Sequence, residues 1–172
     1  NNARIQKFTN DGKFLDKWGN FGTNNDQLSW PYDLAIDTTN TVYVTDLKTD
    51  QIKKFTLTGE YLDHWGGEGD ASGKFKNPAY IINDSENYLY VADSGNHRVQ
   101  KFDSNGNWIR EWGLPAGDAD GKLIGPSGIA VDTISNSIYV SDSGNNRIQK
   151  FTNDGNFIRK WGVLGPPDTI FR

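Results

Sequence analysis

Bulky apolar side chains fall in short runs along this chain, each broken by a cluster of Gly, Asn, Asp, Ser or Thr. The segment from Pro126 shows the pattern most cleanly. It reads P-S-G-I-A-V-D, S-I-Y-V-S-D, S-G-N-N, R-I-Q-K-F, T-N-D-G, N-F-I-R-K-W-G. β-Branched and aromatic runs bounded by turn formers predict strands. Four are expected here, over 129–131, 138–141, 147–151 and 156–161, designated A to D. Strand D alternates: in its first copy Phe14, Asp16 and Trp18 share one face while Leu15 and Lys17 share the other. No stretch carries the apolar spacing and caps of a helix.

The pattern recurs. Lys-Phe ends strand C at Phe8, Phe55, Phe102 and Phe151, a spacing of 47 to 49 residues. Trp-Gly closes strand D at Trp18, Trp65, Trp112 and Trp161. Proline opens the next unit at Pro31, Pro78 and Pro126, and Tyr-Val follows at Tyr43, Tyr90 and Tyr139. The C-to-D connections end in Gly12, Gly59, Gly106 and Gly155, as a tight hairpin needing positive φ requires. Four antiparallel strands repeated at this period predict an all-β fold, a β-propeller of four-stranded blades. Neighbouring blades are expected to press on both faces of strand D, each buried aromatic contributing about 1.5–3 kcal/mol.

The units divide the chain into a partial blade over 1–19, full blades over 20–66, 67–113 and 114–162, and the start of another over 163–172. The last rests on Pro167-Asp168-Thr169-Ile170, which echoes Pro126-Ser127-Gly128-Ile129. About three and a half blades make an open arc whose end faces are a liability for association. The ring is therefore expected to be completed by missing sequence, by another chain or by self-association. The absence of methionine and the start at Asn1 point the same way, to a piece of something longer.

A net charge of -4 and a pI near 5.1 give no concentrated basic face for nucleic acid. Without cysteine there is no disulfide framework, thiolate zinc site or cysteine nucleophile. No apolar run reaches the length of a membrane helix, and no signal-peptide pattern is present. The Asn-, Thr- and Ser-rich, Cys-free composition favours an extracellular or cell-surface setting.

The runs Asp93-Ser94-Gly95-Asn96-His97-Arg98-Val99-Gln100-Lys101-Phe102 and Asp142 to Phe151 resemble the NHL repeat, as does the Pro126 to Asp132 segment. That resemblance covers the whole chain. It implies an NHL-type propeller, a fold whose members typically close six blades and serve as binding modules, scaffolds or enzymes. The first full blade departs from the pattern. Lys48 stands where Gly95 and Gly144 stand, and Gln51 replaces Arg98 and Arg147, so its B-to-C turn is expected to differ.

Asp93 and Asp142, facing Arg98 and Arg147 across a short turn, are read as carboxylates that cap amides and pair with the arginine. Asp37, Asp84 and Asp132 are read as Asx turns rather than as a calcium ring. Lys7, Lys54, Lys101 and Lys150 are expected to lay their stems on apolar surface and keep the ammonium wet. The two histidines, His64 and His97, are too few for the three-histidine zinc site of the amidating lyases that resemble this family. His64 is expected to be an exposed strand D residue. No nucleophile elbow or phosphate loop occurs. No catalytic residue, metal ligand or cofactor is assigned.

Binding candidates are sought where the units disagree, since there the repeat does not dictate the residue. Trp30 aligns with Asn77 and Gly125, Tyr32 with Ala79 and Ser127, and Tyr80 with Asp33 and Gly128. Asp50, His97 and Asn146 align with one another. All six fall in or beside the D-to-A and B-to-C loops, expected to share one face. Aromatics with polar neighbours there suit a protein, peptide, glycan or other small molecule. The reading is a non-catalytic binding or scaffold module. The alternative is part of a metal-dependent hydrolase or lyase whose remaining ligands lie on other blades. RNA binding is disfavoured by Asp26, Glu68, Asp70, Asp118 and Asp120 in the D-to-A loops.

Overall fold

The computed structural model describes residues 2–162, so the strand expected at Pro167–Ile170 lies outside the described residues. The half-blade pairs β1 (Ile5–Phe8) with β2 (Phe14–Trp18). The first full blade is the meander β3 (Pro31–Ile36), β4 (Thr41–Asp46), β5 (Gln51–Thr56), β6 (Tyr61–Gly66). The second is β7 (Pro78–Asn83), β8 (Leu89–Asp93), β9 (Arg98–Phe102), β10 (Trp108–Trp112). The third is β11 (Pro126–Asp132), β12 (Ser137–Asp142), β13 (Arg147–Thr152), β14 (Phe157–Trp161). All pairings are antiparallel between chain neighbours, which gives about three and a half blades in an arc that does not close. Strands A of successive blades, β3, β7 and β11, approach one another.

Each blade carries the same irregularities. The C–D register slips at the Lys-Phe step, between Lys7 and Phe8, Lys54 and Phe55, and Lys150 and Phe151. Such a bulge adds local twist and sets the following hairpin. The B-to-C turn of the second and third blades is a 3-10 turn, Ser94–Asn96 and Ser143–Asn145. The first blade has an ordinary turn there, as the loss of the glycine leads one to expect.

Hydrophobic burial lies between blades. Ala3, Leu28, Val42, Val44 and Phe55 fill the first junction, with Trp18 packed against them. Tyr43, Ile52, Phe75, Leu89, Val91 and Phe102 fill the second, and Tyr90, Val99, Trp112, Leu123, Val140 and Phe151 the third. One lock repeats at every junction. The strand D tryptophan meets the strand C phenylalanine of the next blade, with ring centres 4.9 Å apart for Trp18–Phe55, 5.7 Å for Trp65–Phe102 and 6.0 Å for Trp112–Phe151. The same indole covers the glycine of the next C-to-D turn. A Cβ on Gly59, Gly106 or Gly155 would lie 2.4, 2.7 or 2.7 Å from Trp18, Trp65 or Trp112. These glycines thus serve two needs, a φ near +80° and room for an indole.

Two sequence expectations are corrected here. Strand D is not buried on both faces. Leu62, Ile109 and Ile158 stay 48%, 36% and 46% exposed. The strand is the outer edge of its blade, where radiating sheets splay apart and only the tryptophan row reaches a neighbour. The strand C lysines of the first and second full blades are not wet. Lys101 is buried, its Nζ donating to Asn153 O at 3.3 Å and lying 4.2 Å from the Tyr88 ring centre. Lys54 Nζ donates to Ser104 O at 3.0 Å. Each ammonium bonds the next C-to-D turn, because the adjoining blade covers what an isolated strand would leave in water. Lys7, on the half-blade, is exposed.

Candidate functional site: the loop face

The D-to-A and B-to-C loops meet on one face and hold each other there. Gly95 N donates to Lys76 O at 2.8 Å, Gly144 N to Ile124 O at 2.9 Å and Leu47 N to Trp30 O at 3.1 Å. Beneath them lies a buried polar clamp. In the second blade Asp93 accepts from Lys76 N (2.8 Å), Arg98 Nε (2.7 Å), Asn96 Nδ2 (2.9 Å) and Gln100 Nε2 (3.0 Å). Arg98 carries the clamp outward to Asp70 O, Ala71 O and Lys74 O at 2.7, 2.9 and 2.8 Å, and to Glu111 at 2.9 Å. Asp142, Arg147, Asn145 and Gln149 repeat the set in the third blade. Every partner of the Asp–Arg pair is internal, so the pair holds a loop in place.

The first blade reaches the same end with another residue. Lys53, fully buried on strand C, donates from Nζ to Asn24 O at 2.8 Å and Gln27 O at 2.5 Å. By repeat position these are the carbonyls that Arg98 takes as Ala71 O and Lys74 O. Burial holds the Lys53 ammonium below the usual lysine range, against the pull of Asp46 and Asp26. Sequence reasoning singled out the missing arginine but not its replacement, although Lys53 where the other blades have glutamine was a readable signal.

Asp37 and Asp84 are Asx turns. Asp37 Oδ1 accepts from Thr39 N and Thr41 N, both at 2.9 Å, and Oδ2 from Tyr43 Oη at 2.9 Å. Asp84 does the same with Glu86 N, Tyr88 N and Tyr90 Oη. Burial and the facing carboxylate push both phenols well above the usual tyrosine value. Asp132 makes the same turn with Ile134 N at 3.0 Å, and its Oδ2 accepts from the Ser135 hydroxyl in place of a tyrosine. Among the described residues, no group of three or more His or acidic side chains is placed to hold a metal ion.

The six binding candidates separate into two sets. Asp50, His97 and Asn146 all hold left-handed backbone, φ 51°, 59° and 53°. The repeat does dictate them, since only a short list of residue types tolerates that conformation. Two of them also latch the next blade: Asp50 Oδ1 accepts from Asn77 N at 2.6 Å and His97 Nδ1 from Gly125 N at 3.0 Å. Burial pushes the Asp50 carboxyl up. His64 is half-buried with Nδ1 2.7 Å from Tyr61 Oη, so it is less exposed than its strand position implied.

Trp30, Tyr32 and Tyr80 are the second set. The Trp30 backbone is pinned by Asp46, yet its side chain leaves the residue 55% exposed. Tyr32 is 51% exposed and stands edge-on to Tyr80, ring centres 5.5 Å apart. Hydrogen bonding to Tyr32 raises the Tyr80 phenol. Of the three, Tyr32 lines a cleft of about 280 Å³, together with Arg4, Ile5, Pro31, Asp33 and Leu34. Tyr32 and Tyr80 lie on the strands A of adjacent blades, so the blade junction itself brings them together.

This architecture is a segment of β-propeller. A family model described as NHL repeat matches residues 82–102 and 123–151, within its second and third blades. Comparison with curated proteins finds no match. Among solved structures, a streptogramin B lyase superposes with a TM-score of 0.71 at 20% identity, over 96% of this chain and 49% of that one. A catalytically inactive virginiamycin B lyase from Staphylococcus aureus with quinupristin gives 0.70 at 18%, over 96% and 50%. A nidogen/laminin complex gives 0.60 at 21%, over 77% and 50%. The chain spans about half the length of these structures, and likeness at this identity shows the fold alone.

Proposed function

We propose that this propeller segment is a non-catalytic binding module whose loop face engages a protein, peptide or glycan through Trp30, Tyr32 and Tyr80. One observation carries the reading: three aromatics that the repeat does not require stand exposed or half-exposed, Tyr32 edge-on to Tyr80 and lining a cleft. Exposed aromatics on a fixed backbone lose little entropy on binding and supply much contact area. The repeated charged residues are engaged in internal bonds and are poor candidates for chemistry. A nidogen/laminin complex among the similar structures is in keeping with a protein partner. Further blades completing the ring belong to the same reading.

The second reading is part of a propeller lyase or hydrolase. It is favoured by the two lyases among the similar structures, and it needs ligands from blades beyond these. Glycan and peptide arrays probed with the labelled chain separate the two. Binding lost in Trp30→Ala/Tyr32→Ala, with circular dichroism unchanged, supports the module. Hits that persist in that variant, or stoichiometric calcium or zinc binding, sink it.

A further inference from the structure

The tyrosine pair of the loop face has a charge beside it. Tyr32 and Tyr80 stand edge-on, with ring planes at 89° and centres 5.5 Å apart. Asp33 follows Tyr32 on β3, and its Oδ2 accepts from Ile81 N, the amide next to Tyr80, at 3.0 Å. The Tyr80 phenol is raised first by its hydrogen bond to Tyr32 and, in smaller part, by the Asp33 charge. Carboxylate and rings thus meet at the junction of the first and second full blades. β7 lies between β3 and β11, so Tyr80 is half-exposed with a strand A on either side of its own. The backbone here is tied down. The Thr45 hydroxyl accepts from Asp33 N at 2.9 Å and donates across the junction to Ala79 O at 3.4 Å.

Asp33 is half-buried and short of partners. Among the described residues, no lysine or arginine forms an ion pair with it. Arg4, which lines the same cleft, turns its Nε to Gln6 Oε1 at 2.9 Å. A carboxylate in this position gains most from a charged donor. The rings favour the same visitor, because their quadrupoles attract a cation within about 6 Å of a ring centre. A planar guanidinium serves both, lying on a ring while its N–H groups reach the carboxylate. The surrounding D-to-A loops carry Asp26, Glu68, Asp70, Asp118 and Asp120 against Lys74, Lys76 and Lys122, an excess of acid that draws a basic partner in.

We infer that Tyr32, Tyr80 and Asp33 receive an arginine side chain of a peptide or protein partner. The inference rests on the loop-face reading and narrows its ligand from protein, peptide or glycan to a polypeptide that presents arginine.

The test is a titration of the whole chain with Nα-acetyl-arginine amide and with Nα-acetyl-citrulline amide, which keeps the shape and loses the charge. Tyrosine ring signals are followed by NMR at low salt. Saturable shifts are expected with the arginine compound, and binding of the citrulline compound weaker by about tenfold or more. Asp33→Asn and Tyr80→Leu are each expected to weaken arginine binding about threefold to tenfold, and Tyr80→Phe, which keeps the ring, to weaken it less than Tyr80→Leu. Asparagine at 33 still accepts from Ile81 N, so unchanged circular dichroism is expected for Asp33→Asn. Equal response to the two compounds overturns the inference. So does no response to either, or binding indifferent to both Asp33→Asn and Tyr80→Leu. Array ligands that need Trp30 and Tyr32, yet tolerate citrulline at every arginine, overturn it too and leave the loop-face reading in place.

Discussion

The first and second full blades hold the same loop with different chemistry. In the second, Arg98 and Gln100 share the work: guanidinium and carboxamide converge on Asp93 and fan out to the carbonyls of Asp70, Ala71 and Lys74. In the first, Gln51 stands at the arginine position and a single ammonium, Lys53, takes the two carbonyls at Asn24 and Gln27. What the blade requires is that the loop's inward carbonyls find a donor, because burying them unpaired costs free energy. A planar fork that also pairs with the carboxylate is one solution, and a buried point charge is another. The two differ in redundancy. Arg98 has five bonding partners and Lys53 has two.

That difference sets the largest expected effect. Arg98→Leu strips a fully buried partner from Asp93 and leaves three loop carbonyls without it. A broken buried pair costs about 3–5 kcal/mol. Denaturant unfolding should show that loss, and a cost below about 1 kcal/mol would mean that water or Gln100 replaces the arginine. Lys53→Met keeps the stem and removes the ammonium. Here two carbonyls are orphaned without an uncompensated partner charge of the same intimacy, so about 1–3 kcal/mol is expected. If Lys53→Met costs as much as Arg98→Leu, the two clamps are not graded by their number of bonds.

How much of this was legible is uneven, and the unevenness has a physical cause. Whatever acts within one unit shows in the sequence: glycine at the C-to-D hairpins, Asx turns at Asp37 and Asp84, alternation in strand D, and the odd turn at Lys48. Whatever acts between units is hidden, since one strand does not announce what covers it. Lys101 reads as a solvated stem and is buried by the following blade. Leu62 and Ile158 read as buried and are exposed, because the sheets diverge at their rim. Asp50 and His97 read as free choices, yet left-handed backbone and a latch to the next blade restrict both. Trp30, Tyr32 and Tyr80 stand out in the sequence because they break the repeat, though the edge-on contact of the two tyrosines needed coordinates.

A second device is shared by both blades, the Asx carboxylate, which is Asp84 in the second. In the first it is Asp37. Burial raises its carboxyl, but the amides of Thr41 and Thr39 and the hydroxyls of Thr39 and Tyr43 outweigh that, and the net effect lies below the usual carboxylate value. A carboxyl lowered by folding contributes stability that is present above its unfolded pKa, near 4, and is lost as pH falls through the folded value. The expected loss is about 1 kcal/mol, that of a hydrogen-bonded carboxylate. Asp37→Asn should flatten that part of the pH–stability curve. An unchanged curve would remove Asp37 from the account.

The smallest expected effect is the sharpest test of equivalence. Gln51→Arg with Lys53→Gln rebuilds the second blade's clamp in the first, with Asp46 already buried beneath it. If donors to the Asn24 and Gln27 carbonyls are all the loop requires, the double variant falls within about 1 kcal/mol of the original chain. Lys53→Gln alone loses about 1–3 kcal/mol, because the shorter amide serves fewer carbonyls. The singles must then be non-additive, with a favourable coupling of about 1 kcal/mol or more between positions 51 and 53. Additive singles would show that the Asp93 turn, with Gly95 and Asn96 where the first blade has Lys48 and Thr49, is part of the clamp. In that case the lysine is the solution suited to a turn that lacks them.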